Sequence, residues 1–426
     1  RLCLLGDPSR LSGDAARAAA LWRGPIEPAG PAMLDGAAVA VDALFGAGLS
    51  RPLDGIARDL VETLAASGLP VVAVDVPSGM HGDSGEVSGA AVRATVTVTF
   101  FRPKPGHLLL PGRLHLGTLE VADIGIPDDA LDQLRPAIAA NHPDLWAGRF
   151  PWPQPAGHKY DRGNCVVWSG ARMTGAARLA ARAARRTGAG LATIACPPSA
   201  AAIHAAGDPG VIVEPVEGPR AFARLIADPR RNAVLLGPGA GISPATRQLA
   251  AAALEAGKAV VLDADALTAF ARDPGALFAR LSGSCVLTPH EGEFARLFGR
   301  CLSGGGAGEP ASTPEPAGKV GRAIFAARTS GAVVLLKGAD TVVAAPDGRA
   351  TINANAPPDL ATAGAGDVLA GLVAGLLAQG MDAFDAACAG TWLHGEAAAA
   401  VGPGLIAEDL TDALPGVLRR LRPATD

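Results

Sequence analysis

Short apolar runs rich in Val, Ile and Leu recur along the chain, and most end in a polar residue beside Gly or Pro. Residues 37–43 and 70–76 are two such runs, with an amphipathic stretch over 56–67 between them, and residues 93–101 alternate Thr with Val. Runs of this length separated by helical stretches predict βαβ units, hence a parallel sheet covered by helices. The same alternation returns further on. Strands are predicted at 164–169, 191–195, 233–236, 259–262, 284–287, 332–336 and 341–345, with helices at 175–187, 244–256, 291–298 and 367–377. Between the two series, residues 141–158 carry Pro, His and two Trp without periodicity and read as a linker. The expectation is an α/β chain of two domains, 1–145 and 146–426. The Gly/Pro/Ser stretch 303–318 is too poor in apolar residues to pack and is expected as an exposed loop.

Composition narrows the class of partner. A chain of 426 residues, 49% hydrophobic, can bury two sizeable cores. A formal net charge of -4 with no Lys/Arg block argues against nucleic acid or an anionic membrane as ligand and favours small molecules. The six cysteines lie far apart without metal spacing, which fits reduced thiols in a cytoplasmic protein. No apolar run is long enough for a membrane span. Of the 37 Lys and Arg residues only five are Lys, so a Lys at a strand end draws attention.

Candidate chemistry sits where strands end, the side on which open parallel sheets bind ligands. The strongest motif is Thr362-Ala-Gly-Ala-Gly-Asp367 before an apolar helix. Its small residues let backbone N–H groups approach an anion at the positive end of the helix, with a carboxylate in the first turn. Taken alone it fits an ordinary capped helix start equally well. Lys337-Gly-Ala-Asp-Thr341, between two predicted strands, places a cation that can neutralise phosphate, while Asp367 can take a proton from a hydroxyl attacking a phosphoryl group. Leu236-Gly-Pro-Gly239, Asp263 with Asp265, and Leu287-Thr-Pro-His290 end three further strands; each alone also fits a turn, a cap or a structural His. In the first half, Asp42 precedes the Gly-rich loop 43–52, Asp75-Val-Pro-Ser78 ends the next strand, and Lys104 follows the third.

Together with His158-Lys-Tyr-Asp-Arg-Gly163, these motifs resemble, over residues 158–421, the ribokinase-like dehydratases of NAD(P)H-hydrate repair. The resemblance implies that ADP, or ATP in some members, phosphorylates the hydroxyl of the hydrated nicotinamide ring with Mg²⁺ present, and that phosphate loss restores the dihydronicotinamide. Carried onto this sequence, Asp367 is the base. Lys337, Gly338, Ala339, Asp340 and Thr341, with Pro357, Pro358, Asp359, Leu360, Ala361, Thr362, Ala363, Gly364, Ala365 and Gly366, bind the nucleotide. Gly239, His290 and Asp367 contact the hydrate. Asn353-Ala-Asn-Ala-Pro-Pro358 departs from the Asn-Pro-x-Gly-Asn-Pro run of many members.

The first half is similar to the Rossmann-like, three-layer epimerase domain of bifunctional repair enzymes, which interconverts the R and S hydrates. By that likeness Gly46, Ala47, Gly48, Leu49, Ser50, Arg51, Pro52 and Asp75 bind the hydrate, Asp75 is the base with Lys104 as an electrostatic aid, and Asp42 and Ser78 help hold K⁺. The family's first strand and Asn-Asn-Gly-Gly-Asp loop are expected ahead of Arg1, so the chain is read as beginning inside that domain. The family suggests a homo-oligomer. Two other readings use the same residues: a ribokinase-like kinase of a vitamin alcohol, and a nucleotide-sensing binding protein.

Overall fold

The computed structural model describes residues 1–302 and 318–422. The chain forms two compact units, Arg1–Pro136 and Ala137–Asp426.

The first unit carries strands β1 (Leu2–Leu4), β2 (Ile26–Pro28), β3 (Ala40–Asp42), β4 (Val71–Val74), β5 (Val96–Phe100) and β6 (Thr118–Ala122). Strands β3, β4, β5 and β6 lie side by side in that order, all parallel, while β1 and β2 pair with each other as a separate ribbon. Helix Gly55–Ala66 buries Leu60, Val61 and Leu64, and Val61 and Leu64 join the core cluster of Ala40 and Val71. Because β3 to β5 are parallel neighbours, the loops after them emerge at one edge. That edge collects Asp42, the 43–52 loop, Asp75 and Lys104.

The second unit adds β7 (Ile138–Ala140), β8 (Asn164–Trp168), β9 (Leu191–Cys196), β10 (Ile212–Pro215), β11 (Ala233–Leu236), β12 (Ala259–Leu262), β13 (Cys285–Leu287), β14 (Val333–Leu336), β15 (Thr341–Ala344) and β16 (Ala350–Asn353). They form one sheet in the order β10-β9-β8-β11-β12-β13-β14-β15-β16-β7. Pairing is parallel from β10 to β14, turns antiparallel through β15 and β16, and is parallel again at β7. Central strands are buried on both faces, as their unbroken Val/Leu runs require.

Helix Ala365–Ala378 lies against this sheet, buried at every position from Val368 to Ala378. It packs on helices Thr174–Arg186 and Ala383–Val401 and on β11 and β12. Gly371 and Gly375 are one turn apart, and a Cβ on either would stand 2.3 Å from the Ala180 carbonyl oxygen or 2.4 Å from Thr187 Oγ1. Two helices approach this closely only because both faces are Gly and Ala.

The segment read as a linker lies within the second unit. β7 extends the sheet, Asn141 donates to Asn353 Oδ1 at 2.9 Å and to the Cys388 carbonyl at 2.8 Å, and Trp146 is buried edge-on to Trp392. Without periodicity, aromatic anchoring of this kind gives no pattern to read. The expected loop at 303–318 lies, save Gly318, outside the described residues.

Candidate active site

Strands β11, β12, β13 and β14 are adjacent and parallel, so their carboxyl ends set four motifs in a row: Gly237–Gly239, Asp263, His290 and Lys337. Gly237 has φ 134°, and a Cβ there would stand 1.8 Å from the Asp263 carbonyl oxygen, so the two strand ends meet as bare backbone. The side chain of Asp263 is buried and accepts from Lys337 Nζ at 2.7 Å. A second buried carboxylate, Glu293, lies 3.9 Å from the same ammonium and also accepts from the His290 backbone N–H at 2.9 Å. Burial alone would push the Lys337 pKa down; Asp263, Glu293 and Asp367 outweigh it and hold it above its ordinary value.

The helix carrying Asp367 enters on Gly364, whose φ of 87° suits glycine. A Cβ on Gly366 would stand 3.7 Å from Lys337 Nζ, so bare helix-start backbone faces the ammonium across a narrow gap. Bare backbone at a helix start beside a cation is an arrangement that can cradle an anion. Asp367 sits in the same turn. Burial, with Asp263 and Asp265 as like charges, pushes its pKa up to about 6 although Lys337 opposes the shift. A carboxyl poised there can hold or release a proton near neutral pH.

Asp265 accepts from the Gly241 backbone N–H at 2.8 Å and so fixes the Gly-rich loop that contains Gly239. Gly239 lies against the Met173 carbonyl with φ 63°. His290 has a half-exposed side chain whose Nδ1 accepts from Gly292 N–H at 2.9 Å. Asp340 is paired with Lys319 at 2.6 Å, and the Thr341 hydroxyl closes the turn onto the Gly338 carbonyl at 2.7 Å. Pro358–Leu360 is a 3-10 turn leading to Thr362.

Two residues that the sequence reading did not single out enter the site. Glu293 shares the Thr288–Phe294 motif with His290 but shows its role only through Lys337. His394, on helix Ala383–Val401, is buried, hydrogen-bonded to the backbone of Ala365, and left without a partner at Nε2. Burial, with Lys337 nearby, lowers its pKa to about 4 and keeps it neutral. A single His in an Ala-rich helix carries no signal of this contact.

In the first unit Asp75 stands at φ 71°, a left-handed conformation that a non-Gly residue adopts only when its surroundings demand it. Its carboxylate accepts from Lys104 Nζ at 2.6 Å, from Thr99 at 3.0 Å and from the Ala47 N–H at 3.1 Å. Burial raises its pKa, but the bonds from Lys104, Ala47 and Thr99 prevail and hold it below the ordinary value. Asp42, fully buried, accepts from Ser78 Oγ at 2.6 Å and Ser78 N at 2.8 Å, and burial pushes its pKa up. Ser78 Oγ also lies 3.4 Å from the Phe45 carbonyl. These oxygens are the donor set that hard cations prefer, and a cation would offset the charge buried on Asp42.

Two family models match the chain: NAD(P)H-hydrate dehydratase over residues 165–415, and YjeF-related protein N-terminus over residues 3–106. The bifunctional NAD(P)H-hydrate repair enzyme of Thermofilum pendens is 38% identical over 401 residues, 90% of this chain and 73% of that one. The chain belongs to the bifunctional NAD(P)H-hydrate repair enzyme family. A second relative of that description, from Moorella thermoacetica, is 38% identical over 403 residues, covering 89% of this chain and 73% of its own. Among solved structures, the ADP/ATP-dependent NAD(P)H-hydrate dehydratase of Bacillus subtilis, co-crystallised with ATP and Mg²⁺, superposes with TM-score 0.54 at 26% identity, covering 67% of this chain and 99% of that one. A ribokinase-like superfamily protein of Enterococcus faecalis, at 22% identity and TM-score 0.57 over 67% of this chain and 96% of its own, shares the fold. The two family matches thus place an NAD(P)H-hydrate dehydratase domain in the second unit and a YjeF-related domain in the first.

Proposed function

We propose that the second unit returns hydrated NAD(P)H to NAD(P)H with ADP or ATP as phosphoryl donor, and that the first interconverts the R and S hydrates. One observation carries the dehydratase reading: a carboxyl with pKa near 6, Asp367, in the helix turn whose bare backbone faces Lys337. Asp367 takes the proton of the ring hydroxyl as its oxygen attacks the terminal phosphorus, and the bond to the leaving AMP, or ADP from ATP, breaks. The ring nitrogen's lone pair then expels phosphate, and loss of a proton from the neighbouring carbon restores the double bond. Lys337 and the N–H groups of Gly364–Gly366 neutralise the transferred phosphoryl group. Mg²⁺, when bound, supplies further positive charge on the nucleotide phosphates.

Asp340 commits its side chain to Lys319 and Thr341 commits its hydroxyl to the turn, so their share in nucleotide binding falls to the backbone of the 337–341 segment. Residues 357–363 line the other side of the nucleotide. Gly239 and His290 meet the hydrate. The relative that binds ATP and Mg²⁺ supports this assignment through a shared fold.

For the first unit, Asp75 is the proton carrier, ionised at neutral pH, with Lys104 beside it, and the 46–52 loop closes on the hydrate. Asp42, Ser78 and the Phe45 carbonyl would hold K⁺. The setting is cytoplasmic and the assembly a homo-oligomer; no helix among the described residues is long and apolar enough to cross a membrane.

Product analysis with ADP and hydrate tests the reaction class. Equimolar AMP, phosphate and NAD(P)H are expected; a stable phosphorylated product without NAD(P)H would move the second unit to the small-molecule kinases.

A further inference from the structure

Beside helix Thr174–Arg186 runs a groove of about 830 Å³ that the proposed reaction does not use. Arg178, Arg182, Arg185 and Arg186 line it from successive turns of that helix, and Arg162 lines it from the chain before β8. The opposite helix face, with Ala177, Ala180, Ala181 and Ala184, is buried. Three carboxylates oppose these five guanidinium groups. Asp208 takes Arg185 at 2.7 Å, Asp412 takes Arg182 at 2.7 Å and Arg186 at 3.2 Å, and Glu408 lines the groove. Two positive charges remain in excess. Arg178 forms no ion pair among the described residues, and the Nε of Arg162 is buried without a hydrogen-bond partner. His204, 2% exposed, lines the same groove with Nε2 held by Ser169 at 3.0 Å and Nδ1 without a partner.

We propose that this groove is a second anion-binding site, built for the phosphate groups of a small molecule with an apolar or aromatic body. Guanidinium forks spaced one helical turn apart, about 6 Å, match successive phosphates. Leu179, Ile194 and Val211 give the groove an apolar floor. Its volume is that of a small-molecule pocket. The groove also adjoins the cradle: a Cβ on Gly364 would stand 2.8 Å from Leu179 and 3.0 Å from Ala407, the residue before Glu408. The phosphates have two sources, the dinucleotide hydrate itself or a separate phosphorylated ligand. Only the first source rests on the repair reading.

Calorimetric titration of the full chain with pyrophosphate tests the site. Arg178→Gln combined with Arg182→Gln should weaken the groove's share of binding by about tenfold or more, while Arg178→Lys, which keeps the charge, should retain most of it. Identical isotherms for the wild type and the double variant overturn the proposal. So does equal loss in Arg178→Lys and Arg178→Gln when circular dichroism shows both folded, since binding then does not follow the charge. The source follows from the KM values for NADPH-hydrate and NADH-hydrate. A rise in either KM in the double variant assigns the groove to the substrate's own phosphates, and unchanged KM values with lost pyrophosphate binding assign it to a separate ligand. A wild type that turns over neither hydrate would defeat the repair reading, while the pyrophosphate isotherms would still decide the groove.

Discussion

Asp367 and Lys337 belong to one electrostatic unit, and the charge each carries depends on the other. Below pH 6 Asp367 is protonated and cannot accept the hydroxyl proton, so kcat/KM for the hydrate should fall on the acid side of about 6. Replacing Lys337 by Met removes the ammonium that lowers the Asp367 pKa, so the acid limb should move to higher pH; a limb that stays in place would separate the two residues. The same substitution strands Asp263, whose buried carboxylate has this ammonium as its ion-pair partner. A loss of about 3–5 kcal/mol in urea unfolding is expected, partly recovered in the double variant with Asp263→Asn. Asp367 itself is poised at a cost. Its folded pKa stands above the unfolded value of 3.8, so its contribution to stability is present at low pH and lost as pH rises through 6. Asp367→Asn should therefore raise stability at pH 8 by up to about 3 kcal/mol, a gain that disappears below pH 4. Both residues were legible in the sequence because a rare Lys and a Gly-x-Gly-Asp follow strands in order. Glu293 and His394 were not, since the contacts that recruit them come from elements remote in sequence.

Helix Ala365–Ala378 positions the cradle, and its packing against Thr174–Arg186 depends on having no side chain at Gly371. A methyl there meets the Ala180 backbone, so Gly371→Ala should cost about 1–3 kcal/mol and also reduce turnover, because the helix start that carries Gly364 and Asp367 moves with the helix. A variant with full kcat would uncouple that packing from the site. Elements buried on both faces were readable: β11 and β12 coincide with their apolar runs, and the helix at 244–256 ends within a residue of its predicted limit. The strands at and next to the sheet edges were not. β10 ends in Glu-Pro and β16 in Asn353, and neither has the unbroken apolar run that marks an interior strand. β7 sits at the sheet edge beside β16 and consists of Ile-Ala-Ala, too short to show a period.

Across the whole molecule, two units of different electrostatic character serve one substrate. Asp75 is held below the ordinary carboxylate range and Asp367 well above it. Epimerisation should accordingly show no acid limb near pH 6, in contrast to dehydration; stopped assays of R/S exchange at pH 5 and pH 8 check this. The two-domain plan followed from two series of βαβ runs, but the changeover at Pro136 precedes the aperiodic stretch because that stretch is anchored through Asn141 and Trp146. The measurement that reaches the central claim most directly is recovery of dihydronicotinamide absorbance from an R/S hydrate mixture with ADP and Mg²⁺, comparing the wild type with Asp367→Asn. Full recovery by the wild type is expected, with a rate lower by about two to four orders of magnitude in the variant. Equal rates in the two proteins, or no recovery by the wild type with either ADP or ATP, would contradict it.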